Sequence, residues 1–274
     1  MLDTYKKSII IYKTMKIITI CSGKGGAGKS TITANLAGML AQMGKRVLAI
    51  DMDIGTKNLD LFLGIKDISG GLYSLEDVIM YGFDKNKKYA VEHNKIKDLW
   101  YIPANHYPET SITAEEMSRA VKVLREGFDY ILIDAPAGIG ERFAYAVLPA
   151  NAVIVVVNTD IASLRDADSV LFEVEKKYQV PANVVINKYN IPRVANMYTI
   201  DEIIKILALD GVLGLIPYDS RIIECENNGD LFVLKYPKSV ATHEIRNVAM
   251  RMEGKDIPVK DIRKRSIRDL FKQR

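Results

Sequence analysis

Eight consecutive residues constrain this chain more than any other feature. Gly23-Lys24-Gly25-Gly26-Ala27-Gly28-Lys29-Ser30 follows the apolar run Lys16–Ile20 and opens a helical pattern over Ser30–Met43. A G-x-x-x-x-G-K-[ST] segment set between a strand and a helix is a phosphate-binding loop. Its glycines let successive backbone N–H groups turn inward, and the helix start adds the positive end of its dipole. In such a loop Lys29 reaches the β- and γ-phosphates of a nucleotide, and the Ser30 hydroxyl coordinates Mg2+.

A loop of this kind needs a parallel strand behind it, and the rest of the chain repeats that unit. Short β-branched runs, apolar on both faces, occur at Lys16–Ile20, Arg46–Ile50, Leu99–Ile102, Tyr130–Ile133, Val153–Asn158, Val184–Asn187 and Val212–Ile216. Helical patterns lie between them, roughly Ser30–Met43, Ala114–Glu126, Ser163–Lys177 and Ile200–Ala208. The alternation predicts an α/β protein: one doubly wound, mostly parallel sheet with helices on both faces. At 274 residues and 48% hydrophobic content the chain is long enough for a well-buried core. No repeat, low-complexity stretch or internal linker interrupts it. The expected organisation is a leader over 1–14, one P-loop domain over 15–254 and a basic tail over 255–274.

The longest apolar runs, such as Ala152–Val157, fall far short of the roughly 20 residues that cross a bilayer. Lysines and Ile9–Ile11 near the start lack a small-residue cleavage site, so no signal peptide is expected. Two cysteines, Cys21 and Cys225, cannot build a disulfide framework or a four-thiolate site. The expected location is the cytoplasm. The net charge of +4 is unevenly spread: Lys260–Arg274 holds seven basic and two acidic residues, leaving the other 259 residues at −1. This excludes a broadly basic nucleic-acid-binding body and puts any such role on the tail.

Carboxylates stand where strands end, at the edge where open α/β sheets bind ligands. Asp51 and Asp53 follow Arg46–Ile50; Asp134 ends Tyr130–Ile133 and leads into Ala135-Pro-Ala-Gly138-Ile-Gly140, a turn suited to sensing a γ-phosphate. Each alone also fits a helix cap or turn. Beside the phosphate loop, Ser30, Asp134 and Asp51 are the candidate Mg2+ ligands, and Asp53 the residue that positions attacking water. Asn187-Lys188-Tyr189-Asn190 begins like the guanine-reading N-K-x-D but carries an amide in place of its carboxylate. The donor–acceptor pattern is then wrong for guanine, while Asn187 can still meet the adenine amine, so the expected nucleotide is ATP.

Lys24 is a second lysine inside the loop. Read by itself it is either a surface lysine or a functional group. Lys24-Gly25-Gly26-Ala27-Gly28-Lys29-Ser30-Thr31 resembles the deviant loop K-G-G-x-G-K-[ST]-[ST] of the MinD/ParA family of P-loop ATPases, its MinD branch most. The resemblance extends over Ile18–Asn35, Val47–Gly64 (with Asp51-Met-Asp53-Ile-Gly55 and Asn58-Leu-Asp60-Leu), Leu99–Ala104, Tyr130–Gly140, Asn158–Asp168, Asn187–Val194 and Val212–Asp219. It implies a MgATP-dependent homodimer in which Lys24, with Lys29 and Asp53, serves catalysis across the interface. It implies Asp51 and Asp53 in switch I, Asp134 and Gly138 in switch II, Asp166 facing the dimer and partners, and Asn187 and Pro217 at the base. Gly23 through Thr31 then hold the phosphates.

Relatives with paired cysteines at a dimer axis, a C-x-x-C, a doubled domain or a tyrosine-rich end do not match. Synthetase-type enzymes of the superfamily remain open. Val259, Ile262, Ile267, Leu270 and Phe271 interleave the basic tail; Ile267, Leu270 and Phe271 share one helical face with Arg263 and Arg274. The tail reads either as a solvated terminus or as the anionic-membrane anchor that the resemblance implies. With it come a cargo protein and an ATPase activator as partners; a ParA-like use of the tail on DNA and a flagellar-number role are the rivals. The leader lies outside the family pattern, as an alternative start or an added regulatory segment.

Overall fold

The computed structural model describes residues 17–53, 58–65, 75–82, 88–103, 112–190 and 197–261. The leader, Lys16, Gly55, Ala104, Val194 and the tail from Ile262 onward, including Arg263, Ile267, Leu270, Phe271 and Arg274, lie outside these residues.

Strand and helix alternate as the apolar runs require. In chain order the elements are β1 (Ile17–Cys21), α1 (Lys29–Gln42), β2 (Val47–Asp51), α2 (Leu59–Leu63), α3 (Leu75–Tyr81), β3 (Val91–Glu92), β4 (Leu99–Ile102), α4 (Ala114–Leu124), β5 (Tyr130–Asp134), α5 (Phe143–Val147), β6 (Ala152–Val157), α6 (Ile161–Phe172), β7 (Ala182–Tyr189), α7 (Ile200–Ile206), β8 (Gly214–Pro217), α8 (Ser220–Asn228), α9 (Phe232–Lys235) and α10 (Val240–Met252). They build one eight-stranded sheet in the order β3-β4-β2-β5-β1-β6-β7-β8. Every pairing is parallel except the short β3–β4 ladder.

All five residues of β1, β2 and β5 and all six of β6 are buried, because helices cover both faces of the sheet. Alternate residues feed two cores. Ile17 and Cys21 point into one with α3 to α7, while Ile18 and Ile20 point into the other with α1, α2 and α8 to α10. α1 is buried almost all round, since α2, α9 and α10 pack on the side turned away from the sheet. Asn35 ties this layer together: its Nδ2 donates to the Thr31 carbonyl at 2.9 Å, and its Oδ1 accepts from the Val233 amide at 3.0 Å.

Strand β1 is central, with β5 on one side and β6 on the other, so the chain winds outward in both directions from its carboxyl end. That switch point is where open α/β sheets form their ligand crevice. The phosphate loop leaves β1 there, beside the ends of β2, β5 and β7.

Several boundaries shift from the sequence expectation, among them β7, which runs Ala182–Tyr189 rather than Val184–Asn187, and β8, which runs Gly214–Pro217 rather than Val212–Ile216. The helix expected over Ser163–Lys177 closes as α-helix at Phe172 and continues as one wider π-helical turn, Glu173–Lys177, with Gln179 at φ 55°. Residues 255–261, assigned to the tail by composition, pack on the body. The buried Arg251 guanidinium donates to the carbonyls of Ile257 (2.7 Å), Leu213 (2.9 Å) and Pro258 (3.1 Å); Val259 enters the core; and the Tyr189 hydroxyl donates to Asp261 at 3.0 Å.

Candidate nucleotide site

The loop Ser22–Gly28 joins β1 to the first turn of α1, with Gly26 and Gly28 in the left-handed region at φ 76° and 96°. A side chain at Gly28 would overlap the Asn187 amide, and one at Gly23 would overlap Asp166 on α6. The loop is therefore pressed between β7 and α6 at two points that only glycine allows. Asn187, 4% exposed, donates from Nδ2 to the Ala27 carbonyl at 2.9 Å, and Lys188 donates to the Gly26 carbonyl at 2.8 Å. Ser22 Oγ donates to the Lys24 carbonyl, and the Gly138 amide donates to the Ser22 carbonyl. Two neighbouring segments, β7 and the turn after β5, thus hold the loop by its backbone, and α6 packs against it at Gly23.

Its polar side chains meet carboxylates. Lys29 Nζ lies 3.0 Å from Asp53 Oδ2 and 3.7 Å from Asp134 Oδ2. Burial works to lower the Lys29 pKa, but Asp134, Asp53 and Asp51 outweigh it and hold the ammonium above its ordinary value. Ser30 Oγ donates to Asp134 Oδ2 at 2.6 Å, and Thr33 Oγ1 donates to Asp134 Oδ1 at 3.2 Å. Asp51 is 2% exposed and braces the segment after β2, accepting from the amides of Asp53 (2.9 Å) and Leu59 (3.2 Å). Burial, reinforced by Asp134, pushes its pKa up to about 7; burial likewise lifts Asp134 to about 6 against the pull of Lys29. Lys24, outside this cluster, pairs with Asp160 at 2.9 Å, where Asp160 also caps α6 through the Ser163 amide.

A cavity of about 520 Å3 opens over the loop. Of the candidate residues, Gly25, Gly26, Gly28, Lys29, Ser30, Thr31, Asp53, Asn187 and Pro217 line it. Gly23, Lys24, Ala27, Asp51, Asp134, Gly138 and Asp166 stand behind or beside it, and Asn190 is exposed at φ 60°. The cavity also takes in Asn58, Phe62, Lys188, Tyr218, Asp219, Ile222, Ile223 and Glu226, none of which carried a site role in the sequence, although Asn58 sits in the quoted Asn58-Leu-Asp60-Leu segment. Lys188 sits inside the quoted Asn187–Asn190 segment, and Asp160-x-x-Ser163 is a legible cap; Glu226 has no local signal. A larger groove, about 610 Å3, lies by the amino end of β7 and carries none of the loop's groups.

The volume suits a small ligand or nucleotide. Amides, an ammonium and two hydroxyls at one end are the donors that phosphate needs, and Ser30 beside Asp134 offers the one or two hard oxygens that Mg2+ takes from a protein when phosphate supplies the rest. Among the described residues no group of three or more His, Cys, Asp or Glu forms a metal cluster. The residues present fit a nucleotide carrying Mg2+.

A central β1, a glycine loop on α1 and strand-end aspartates define a P-loop nucleotide-binding protein. A family model described as the CobQ/CobB/MinD/ParA nucleotide binding domain matches residues 18–232. The septum site-determining protein MinD of Synechocystis is 36% identical over 249 residues, covering 90% of this chain and 92% of that one. Two solved structures align closely. The MinC:MinD cell division complex of Aquifex aeolicus gives a TM-score of 0.79 at 35% identity, with 90% of this chain and 99% of that chain covered. MinD of Pyrococcus horikoshii complexed with Mg-ADP gives 0.76 at 29% identity, with 87% and 96% covered. The chain belongs to the MinD/ParA family of P-loop ATPases. Among its described residues no helix is long and apolar enough to cross a membrane.

Proposed function

We propose that this chain is a MinD-type switch: it pairs with a second copy on binding MgATP, hydrolyses the nucleotide slowly under an activator, and positions a division partner at the inner membrane surface. The observation that carries the reading is Lys24. Its side chain is 35% exposed, does not line its own cavity and is held by the still more exposed Asp160. A loop lysine that lies outside its own cavity supports a role at the phosphates of a facing copy. In this reading Gly23–Thr31 wrap the phosphates, Lys29 exchanges Asp53 for phosphate oxygens, and Ser30 and Asp134, with Asp51 behind them, hold Mg2+. The bound ion would draw charge from the phosphate oxygens. Asp53, freed from Lys29, orients the attacking water, while Asn187 and Pro217 bound the adenine.

The MinC:MinD structure supports a protein partner of MinC type, and the basic tail supports attachment to anionic lipid once two tails act together. Sedimentation of the full chain tests the switch. With ATP the mass should double and the protein should float with anionic vesicles; Lys24→Ala should stay single and unbound while still taking up one ATP per chain. A parental mass for Lys24→Ala with ATP would sink the cross-interface role. Vesicle-blind dimers that bind duplex DNA with a steep salt dependence would replace the membrane reading by a ParA-like one.

A further inference from the structure

Two carboxylates in the cavity, Asp219 and Glu226, are used by neither the phosphate chemistry nor the base chemistry; Asp219 is engaged by Arg221 and caps α8, which leaves Glu226. It sits on α8, and its Oε1 lies 2.5 Å from Thr31 Oγ1, a contact between residues 195 positions apart. Ile222 and Ile223 share the cavity face of the same helix, one turn earlier and nearer to Pro217. Passing along α8 therefore leads from the strand ends that carry Asn187 and Pro217 to the N-terminal turn of α1. A nucleotide laid along that path has its base at one end and its phosphates at the other, and its sugar between them.

A half-buried carboxylate is acceptor-only. Phosphate oxygens would repel it, and at the base end Asn187 and Pro217 already stand. The middle of a ribonucleotide offers what a carboxylate needs: two vicinal hydroxyl donors, matched to its two oxygens. We propose that Glu226 reads the ribose, accepting from its 2′- and 3′-hydroxyls and so making this site discriminate ribonucleotides from deoxyribonucleotides. Thr31 provides a hydroxyl donor to the carboxylate, and ribose extends the same bonding. Burial holds the Glu226 pKa above its ordinary value against Thr31 and Lys188, which is consistent with a carboxylate placed for donors rather than for water.

This inference rests on the cavity being the nucleotide site. Calorimetry with MgADP, Mg-2′-deoxyADP and Mg-3′-deoxyADP, which avoids turnover, separates the two. The parental chain should bind at least one deoxynucleotide about 10- to 100-fold more weakly than ADP, the worth of a hydrogen bond to a charged group. Glu226→Ala should bind ADP as weakly as the parent binds that deoxynucleotide, bringing the ratio to about one. Glu226→Gln, which keeps an acceptor for Thr31, should fall between, with the ratio cut at least about threefold. Equal parental affinities for ribo- and deoxy-forms, or discrimination retained in full by either variant, would overturn the role of Glu226. No ADP binding by the parental chain would instead refute the nucleotide site itself.

Discussion

Replacing Asp51 by Asn should stabilise the nucleotide-free protein at pH 8 and weaken it slightly at pH 4.5. Asp51 has an ordinary pKa of 3.8 and is pushed up to about 7 in the fold, first by burial and then by Asp134. Below pH 4 it is protonated in both folded and unfolded chains and has no effect. As pH rises the unfolded chain gives up this proton first, so stability falls through the window from about 4 to about 7 and the loss is complete above it. Three units correspond to about 4 kcal/mol. The amide removes that loss, but only one of its two polar atoms can accept. One of the bonds from the Asp53 and Leu59 amides is therefore forfeited, at about 1–2 kcal/mol. The net gain at pH 8 is about 2 kcal/mol, or roughly 4–8 °C in Tm for a chain of this size. At pH 4.5 the unfolded chain has already given up most of this proton, so about 1 kcal/mol of the loss is present, and the forfeited bond of about 1–2 kcal/mol slightly outweighs it and reverses the order. Thermal unfolding of both proteins between pH 4.5 and 8.5, without nucleotide, gives the two curves. A variant weakened equally at both ends would refute the claim that ionised Asp51 is held against burial.

Gly28→Ala should fold with a loss of about 1–2 kcal/mol for its left-handed backbone and lose nucleotide binding by more than about 100-fold, because the new methyl pushes Asn187 off the Ala27 carbonyl; calorimetry at unchanged secondary structure checks this. Arg251→Met should lower stability by about 3 kcal/mol in urea unfolding, since three carbonyls lose their donor and 255–261 loses its hold on the body.

The parallel strands were legible because covering both faces of a sheet demands continuous β-branched runs, and Ile17–Cys21, Val47–Asp51 and Ala152–Val157 have nothing else to be. The phosphate loop was legible because its glycines stand at fixed offsets from Lys29. Elements held by partners far along the chain were not. α10 packs against α1 and β8, and its sequence mixes Thr242, His243, Glu244 and Arg251 into the apolar positions; only the fold shows Arg251 capping carbonyls rather than facing water. β3 is two residues long and exists by pairing with β4. The π turn after Phe172 continues an ordinary helical period, so no local signal marks it. Within the site, the motif residues are adjacent in sequence, whereas Asp160 and Glu226 arrive from α6 and α8.

What the motif reading leaves out is the charge state in which the loop waits. Lys24 rests on Asp160, Lys29 on Asp53 and Asp134, Ser30 on Asp134 and Thr31 on Glu226. Apart from Thr31, each of these side-chain donors would leave a carboxylate for phosphate, so an incoming nucleotide would exchange one anion for another at these side chains and not simply fill a positive hole. Exchange leaves the displaced carboxylates without their partners. Asp134, 1% exposed, cannot turn to water, and Asp51 beside it is already held above its ordinary pKa. A divalent cation bound with the nucleotide would restore to that pair what Lys29 and Ser30 withdraw. The same buried carboxylates that lower the stability of the nucleotide-free protein at neutral pH would thus favour nucleotide entering together with its metal over nucleotide entering alone.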